Sequence, residues 1–232
     1  MINVQYPFLD LTQALLALLK TLKPTDWAKT TLFKNYKING LAKDLVQIHV
    51  NILTKQLNAF TLNIGEIDTV ADSASIKESC ESLAHLLENN NIVFELDEKE
   101  YAYCWLLQQY IRQALNNQDL LVKAFYFPFL NTVMQNFAGH YQRVEANEDV
   151  IVKVEIVGEA GGIWSIEKSA AGWTSVTEHK PATVTIYLDQ QIAWLLFTNA
   201  LHVSEIGQFY QLIGNKQLGS YFLNMRTNIA VS

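Results

Sequence analysis

Near residue 145 the spacing of apolar residues changes from a period close to 3.6 to a period of about 2. A helix repeats its face at the first spacing and a strand at the second, so the chain is read as α+β, with helices first and a sheet with helices after. Upstream of the change, Leu11, Leu15, Leu18, Leu19 and Leu22 follow Pro7 at helical spacing, and Lys23-Pro24 ends that stretch because proline disfavours helical geometry in the residue before it. A loop bearing Trp27 follows. A second helix is predicted from about Asn39, with Leu41, Leu45, Ile48 and Ile52 on one stripe and Val46, Val50, Leu53 and Leu57 beside it. A third opens at Asp72-Ser73 and closes at Asn89-Asn90-Asn91, and a fourth runs from about Asp97 to Asn116. The fifth, from Leu120 to about Val144, is expected to kink near Phe127-Pro128.

Beyond the change, VIVKVEIVG, GIWSIEK, GWTSV and TVTIYL alternate and are separated by glycines, which predicts four strands in an antiparallel meander or a mixed sheet. Asp189 is the expected cap of a helix over QQIAWLLFTNAL, with further helices over Glu205 to Ile213 and Gln217 to Ile229. The composition shift divides the chain into a helical domain, residues 1–145, and a smaller α+β domain, residues 146–232.

Charge narrows the range of partners. With 17 Lys and Arg against 23 Asp and Glu, the net charge is −6 and no basic cluster occurs, so phosphate-backbone binding has no footprint and no nucleic acid is expected. Cys80 and Cys104 are too few for a disulfide framework and fit no metal spacing, so both are read as reduced and structural. Met1-Ile-Asn-Val lacks the basic start of a signal peptide, and Leu11 to Leu22 is too short to span a bilayer, so the expected location is cytoplasmic, with no membrane partner.

Two of the five histidines, His49 and His140, fall on helices that a bundle brings face to face. Imidazoles from different helices are how bundles hold metals, since each rigid helix fixes one ligand; the plainer reading is a core histidine satisfied by a hydrogen bond. The glycines of GEAGGIW, Gly158, Gly161 and Gly162, match no nucleotide-binding fingerprint and are read as turn residues. The tryptophans are read as packing residues, and no serine or cysteine sits in a nucleophile elbow.

The segments LLALLKTLKPTDWAKTT, LAKDLVQIHV and NTVMQNFAGH, in that order, resemble the DinB-like superfamily, and within it the mycothiol-dependent maleylpyruvate isomerase branch. GEAGGIW, AWLLFTNAL and IGNKQLGSYFLNM are similar to the sterol-carrier-protein-like region that follows this bundle, so the resemblance covers nearly the whole chain. It implies a DinB-like four-helix bundle holding a divalent metal, zinc or nickel, with His49 and His140 as ligands and Asn136, four residues before His140, as the third. The family pattern has Glu, Asp or His at that third position. A neutral amide there removes negative charge and lowers affinity, and Glu145 or His85 are alternative donors.

What the resemblance implies for activity is isomerisation or transfer using a low-molecular-weight thiol, which a metal would hold as its thiolate. Arg143, three residues after His140, and Arg226 are the candidates to bind a substrate carboxylate; the plainer reading of Arg143 is a solvated helix-end residue beside Glu145 and Glu148. A reading from a different class starts from Asn136 and the apolar C-terminal region: a non-catalytic small-molecule or apolar-ligand binding protein, with a dry or lipophilic pocket between sheet and helices. Either way the partner is a small molecule, and a homodimer is left open.

Overall fold

The computed structural model describes residues 7–57, 73–89, 97–177, 180–227 and 229. Asp72, Asn90, Asn91 and His179, and the side chains of Leu57 and His85, lie outside them. The fold is mixed α+β, and the chain divides into two compact units, Met1–Leu120 and Leu121–Ser232. No helix among the described residues is long and apolar enough to cross a membrane.

The first unit contains α1 (Phe8–Thr21), α2 (Ile38–Leu57), α3 (Ser73–Asn89) and α4 (Glu98–Ala114). Each of α1 and α2 packs against both α3 and α4, which closes the four helices around one core. The predicted apolar stripes supply it, through Leu11, Leu15 and Leu19 of α1 and Leu41, Leu45 and Leu53 of α2, all buried. From α4 come Tyr101, Trp105 and Ile111. Asp97 caps α4 by accepting the Lys99 N–H at 2.9 Å. The segment after Pro24 is a turn-rich loop pinned by a Thr30–Lys37 bridge, and it buries Trp27.

The second unit opens with helices α5 (Lys123–Met134) and α6 (Phe137–Tyr141). One long helix kinked at Pro128 is therefore corrected to two: Pro128 sits inside α5, and the break falls at Gln135–Asn136. There the Asn136 N–H bonds back only three residues, to the Val133 carbonyl at 3.2 Å, which tightens the turn and ends the α-helical ladder.

Strands β1 (Ile151–Val157), β2 (Gly162–Ser169), β3 (Gly172–Val176), β4 (Val184–Asp189) and β5 (Tyr210–Gly214) form one sheet in the order β3-β2-β1-β4-β5. The β1–β4 pair is parallel and the others antiparallel, so of the two arrangements expected the sheet is the mixed one. Val152, Val154 and Ile156 alternate with Lys153 and Glu155, and Val184, Ile186 and Leu188 with Thr185 and Tyr187, so one face is buried. Helix α7 (Gln190–Phe197) packs on β1 and β4, and its predicted cap holds: Asp189 accepts the Gln191 N–H at 2.7 Å.

Two helix predictions in this unit are overturned. The stretch from Glu205 to Ile213 forms only a 3-10 turn, Val203–Glu205, and then β5. Pairing of Tyr210–Gly214 with β4 outweighs a weak helical preference interrupted by Gly207. Gly214 has φ +95°, and a Cβ there would overlap the Thr183 carbonyl oxygen, so the close approach of β5 to β4 depends on glycine. The terminal helix from Gln217 to Ile229 shrinks to α8 (Lys216–Ser220) and a 3-10 turn, Phe222–Asn224, after which Met225 is extended. Arg226 donates to the Leu223 and Met225 carbonyls, satisfying groups that a continuing helix would have used.

Candidate functional site

In the first unit, α2 carries His49 into the core, where it is completely buried. Its Nδ1 lies 2.8 Å from the Thr12 hydroxyl on α1, and that hydroxyl donates its one proton to the Phe8 carbonyl at 2.8 Å. The ring proton therefore sits on Nδ1, which donates to Thr12, and Nε2 is left as a bare acceptor without a partner among the described residues. The opposite tautomer would strand a buried N–H, the costlier defect. Phe8 stacks on the imidazole with ring centroids 4.8 Å apart, and burial drives the His49 pKa down to about 3, so the ring is neutral. Anchored at Nδ1–H and bare at Nε2, it has the form a ligating histidine takes.

Helix α4 presents amides and a guanidinium to the core: Gln108 donates to the Leu11 carbonyl at 3.0 Å, Gln109 keeps a buried, unpartnered Oε1, and Arg112 reaches the Ala14 carbonyl at 2.9 Å. Cys80 and Cys104 are buried thiols pushed up to about 11 and about 12, which keeps them protonated. Among the described residues no three His, Cys, Asp or Glu side chains are grouped to hold a metal.

Asn136 and His140 both belong to the second unit, whereas His49 belongs to the first. Asn136 precedes α6, and its Oδ1 lies over Gly139, 2.7 Å from where a Cβ would stand. His140 is half-buried on α6, with Nε2 2.8 Å from the Tyr221 carbonyl oxygen. A carbonyl only accepts, so Nε2 is protonated and donates to it.

Arg143 opens onto a groove of about 550 Å³ between the segment before β1, the start of β4, and α8 with Tyr221. The lining is mainly polar. Some of that polarity is spent on structure: Asn215 Oδ1 accepts the Leu218 N–H at 3.0 Å, and the Thr183 hydroxyl accepts the Ile151 N–H at 3.2 Å. Arg143, Glu145, Asn147, Gln217 and Tyr221 are exposed, and their side chains hold no hydrogen bond or ion pair among the described residues. Arg143 is exposed just past the end of α6 and pairs with neither Glu145 nor Glu148, which agrees with the plainer reading of a solvated helix-end residue and leaves its guanidinium open.

Arg226, the other anion-binding candidate, does not line this groove. Its guanidinium is committed to Asn199 Oδ1 at 3.1 Å and to two backbone carbonyls, and it fastens the C-terminal segment. Gly158, with φ +143°, and Gly161 are turn residues as predicted, whereas Gly162 is corrected from a turn residue to the first residue of β2, paired with Ile156. The groove itself went unread, apart from Arg143 and Glu145, because its walls come from sequence positions 143–150, 183 and 215–221. No protein-family model matches the chain, and no curated protein matches it.

Proposed function

We propose that this chain binds a small polar molecule, without catalysing its conversion, in the groove of the second unit, with Arg143 holding a carboxylate or phosphate of the ligand. The observation that carries the reading is an uncommitted guanidinium opening onto a concave polar surface of about 550 Å³, a volume within the range that small-molecule sites occupy. Guanidinium matches a carboxylate or phosphate with two parallel N–H donors, and no acid among the described residues is paired with it. A cytoplasmic place of action accords with the two free, buried cysteines.

The test is a thermal-shift series with N-acetyl-trialanine, succinate and inorganic phosphate on the wild-type protein and on Arg143→Gln. At least one of them should raise the wild-type melting temperature in a saturable way and have little effect on the variant. Equal shifts in both proteins, or none in either, would contradict the reading.

One observation favours a second reading, the metal- and thiol-dependent enzyme of the DinB-like resemblance: His49 keeps a bare, buried Nε2. The resemblance implies His140 and Asn136 as the other positions of that reading, with Glu145 or His85 as alternative donors. Metal content of protein purified without chelators, alongside His49→Ala and His140→Ala, separates the two. Stoichiometric zinc or nickel lost in both variants would favour the enzyme, and the same negligible content in all three would remove it.

A further inference from the structure

We infer that the ligand of the Arg143 groove is a small zwitterion, with its carboxylate on Arg143 and its ammonium on Glu145; this rests on the binding reading above and narrows it to a ligand class, short peptides with free ends. Both side chains line the same groove, both are exposed, and neither has a partner among the described residues. They do not pair with each other either, so guanidinium and carboxylate stand more than 4.0 Å apart. Two opposite charges that share a concavity without neutralising one another set a selection rule. A simple anion gains from Arg143 and loses to Glu145, and a simple cation does the reverse. A molecule bearing both charges, spaced to reach both groups, gains from each, whereas a simple anion or cation gains from one and is weakened by the other.

The remaining uncommitted groups suit what lies between the two ends of such a ligand. Asn147 and Gln217 each offer an amide donor and acceptor, and the Tyr221 hydroxyl offers one more of each, which is the complement of a peptide bond. Leu218, buried at the groove, gives a small apolar contact. A groove of about 550 Å³ is larger than a free amino acid needs and accommodates a peptide of a few residues.

The experiment uses the full chain and three matched probes: trialanine, N-acetyl-trialanine, which lacks the ammonium, and trialanine amide, which lacks the carboxylate. Affinities come from amide chemical shifts of Asn147 and Gln217. Trialanine should bind at least about fivefold tighter than either blocked peptide, the size of one partly exposed ion pair. Glu145→Gln should lower trialanine to the level of the acetylated probe and leave that probe no weaker than before. Arg143→Gln should lower trialanine to the level of the amide. Equal or tighter binding of N-acetyl-trialanine would overturn the zwitterion and leave a groove for anions. Silence from all three peptides, with succinate or phosphate still binding through Arg143, would also overturn the inference alone. Silence from every probe would remove the binding reading with it.

Discussion

Lowering the pH from about 7 to about 5 should destabilise the wild-type helical unit by about 2 kcal/mol more than it destabilises His49→Asn. In the fold, His49 is neutral with a pKa of about 3, against 6.5 for a free histidine, because burial penalises the charged ring. The unfolded chain therefore binds one more proton than the folded chain between those two values. Stability from this group is complete above about pH 6.5, falls by about 1.4 kcal/mol per pH unit below it, and levels off below about pH 3. Asparagine keeps an N–H for the Thr12 hydroxyl and cannot titrate. The variant loses the stack on Phe8 and is weaker at every pH, so the informative quantity is the difference in slope, not the offset. Urea melts followed by far-UV circular dichroism at several pH values supply both slopes, and acids elsewhere in the chain cancel in the comparison. Parallel pH dependences for the two proteins would refute the reasoning. Should His49→Asn fail to fold, a wild-type imidazole NMR titration decides the matter, and a His49 midpoint near 6 has the same refuting force.

Three further outcomes follow from buried polar groups and tight packing. Arg112→Met should cost about 3 kcal/mol in urea melts, because it strands the Ala14 carbonyl and Gln108 Oε1 in the core, whereas Asp119→Ala should cost under about 1 kcal/mol, since Asp119 is 74% exposed and its ion pair with Arg112 is screened. Gly214→Ala should lower stability by at least about 2 kcal/mol, through its positive φ and the overlap with the Thr183 carbonyl, while Gly207→Ala, with open space around it, should stay within about 0.5 kcal/mol; thermal melts compare the two. Cys80 and Cys104 should resist a thiol reagent in the native protein and both react once it is unfolded in urea, because burial keeps them protonated and out of reach; fast native labelling of either would contradict that account.

Local signals were legible in the sequence and long-range ones were not. Leu11, Leu15 and Leu19, and Leu41, Leu45 and Leu53, reveal their buried faces through spacing alone, and Asp97 and Asp189 reveal their caps. β5 was misread as helix because its five residues owe their conformation to a ladder with β4, some 25 residues away in the chain, a partner that periodicity cannot display. The same limit applies to sites. The burial of His49 could be read from α2, but its tautomer is set by Thr12, which lies 37 residues upstream. Arg143 was visible as a cation near a helix end, yet the groove that makes it a candidate exists only once α8 and the start of β4 are brought beside it.

If the Arg143 guanidinium is the ligand contact, its own Nε–H resonance reports the binding without an intermediary. In the protein titrated with trialanine, that resonance, assigned by its loss in Arg143→Lys, should shift and saturate together with the Asn147 and Gln217 amides. A resonance that stays fixed while the peptide binds elsewhere, or that stays fixed in titrations with trialanine, succinate and phosphate alike, would contradict the claim.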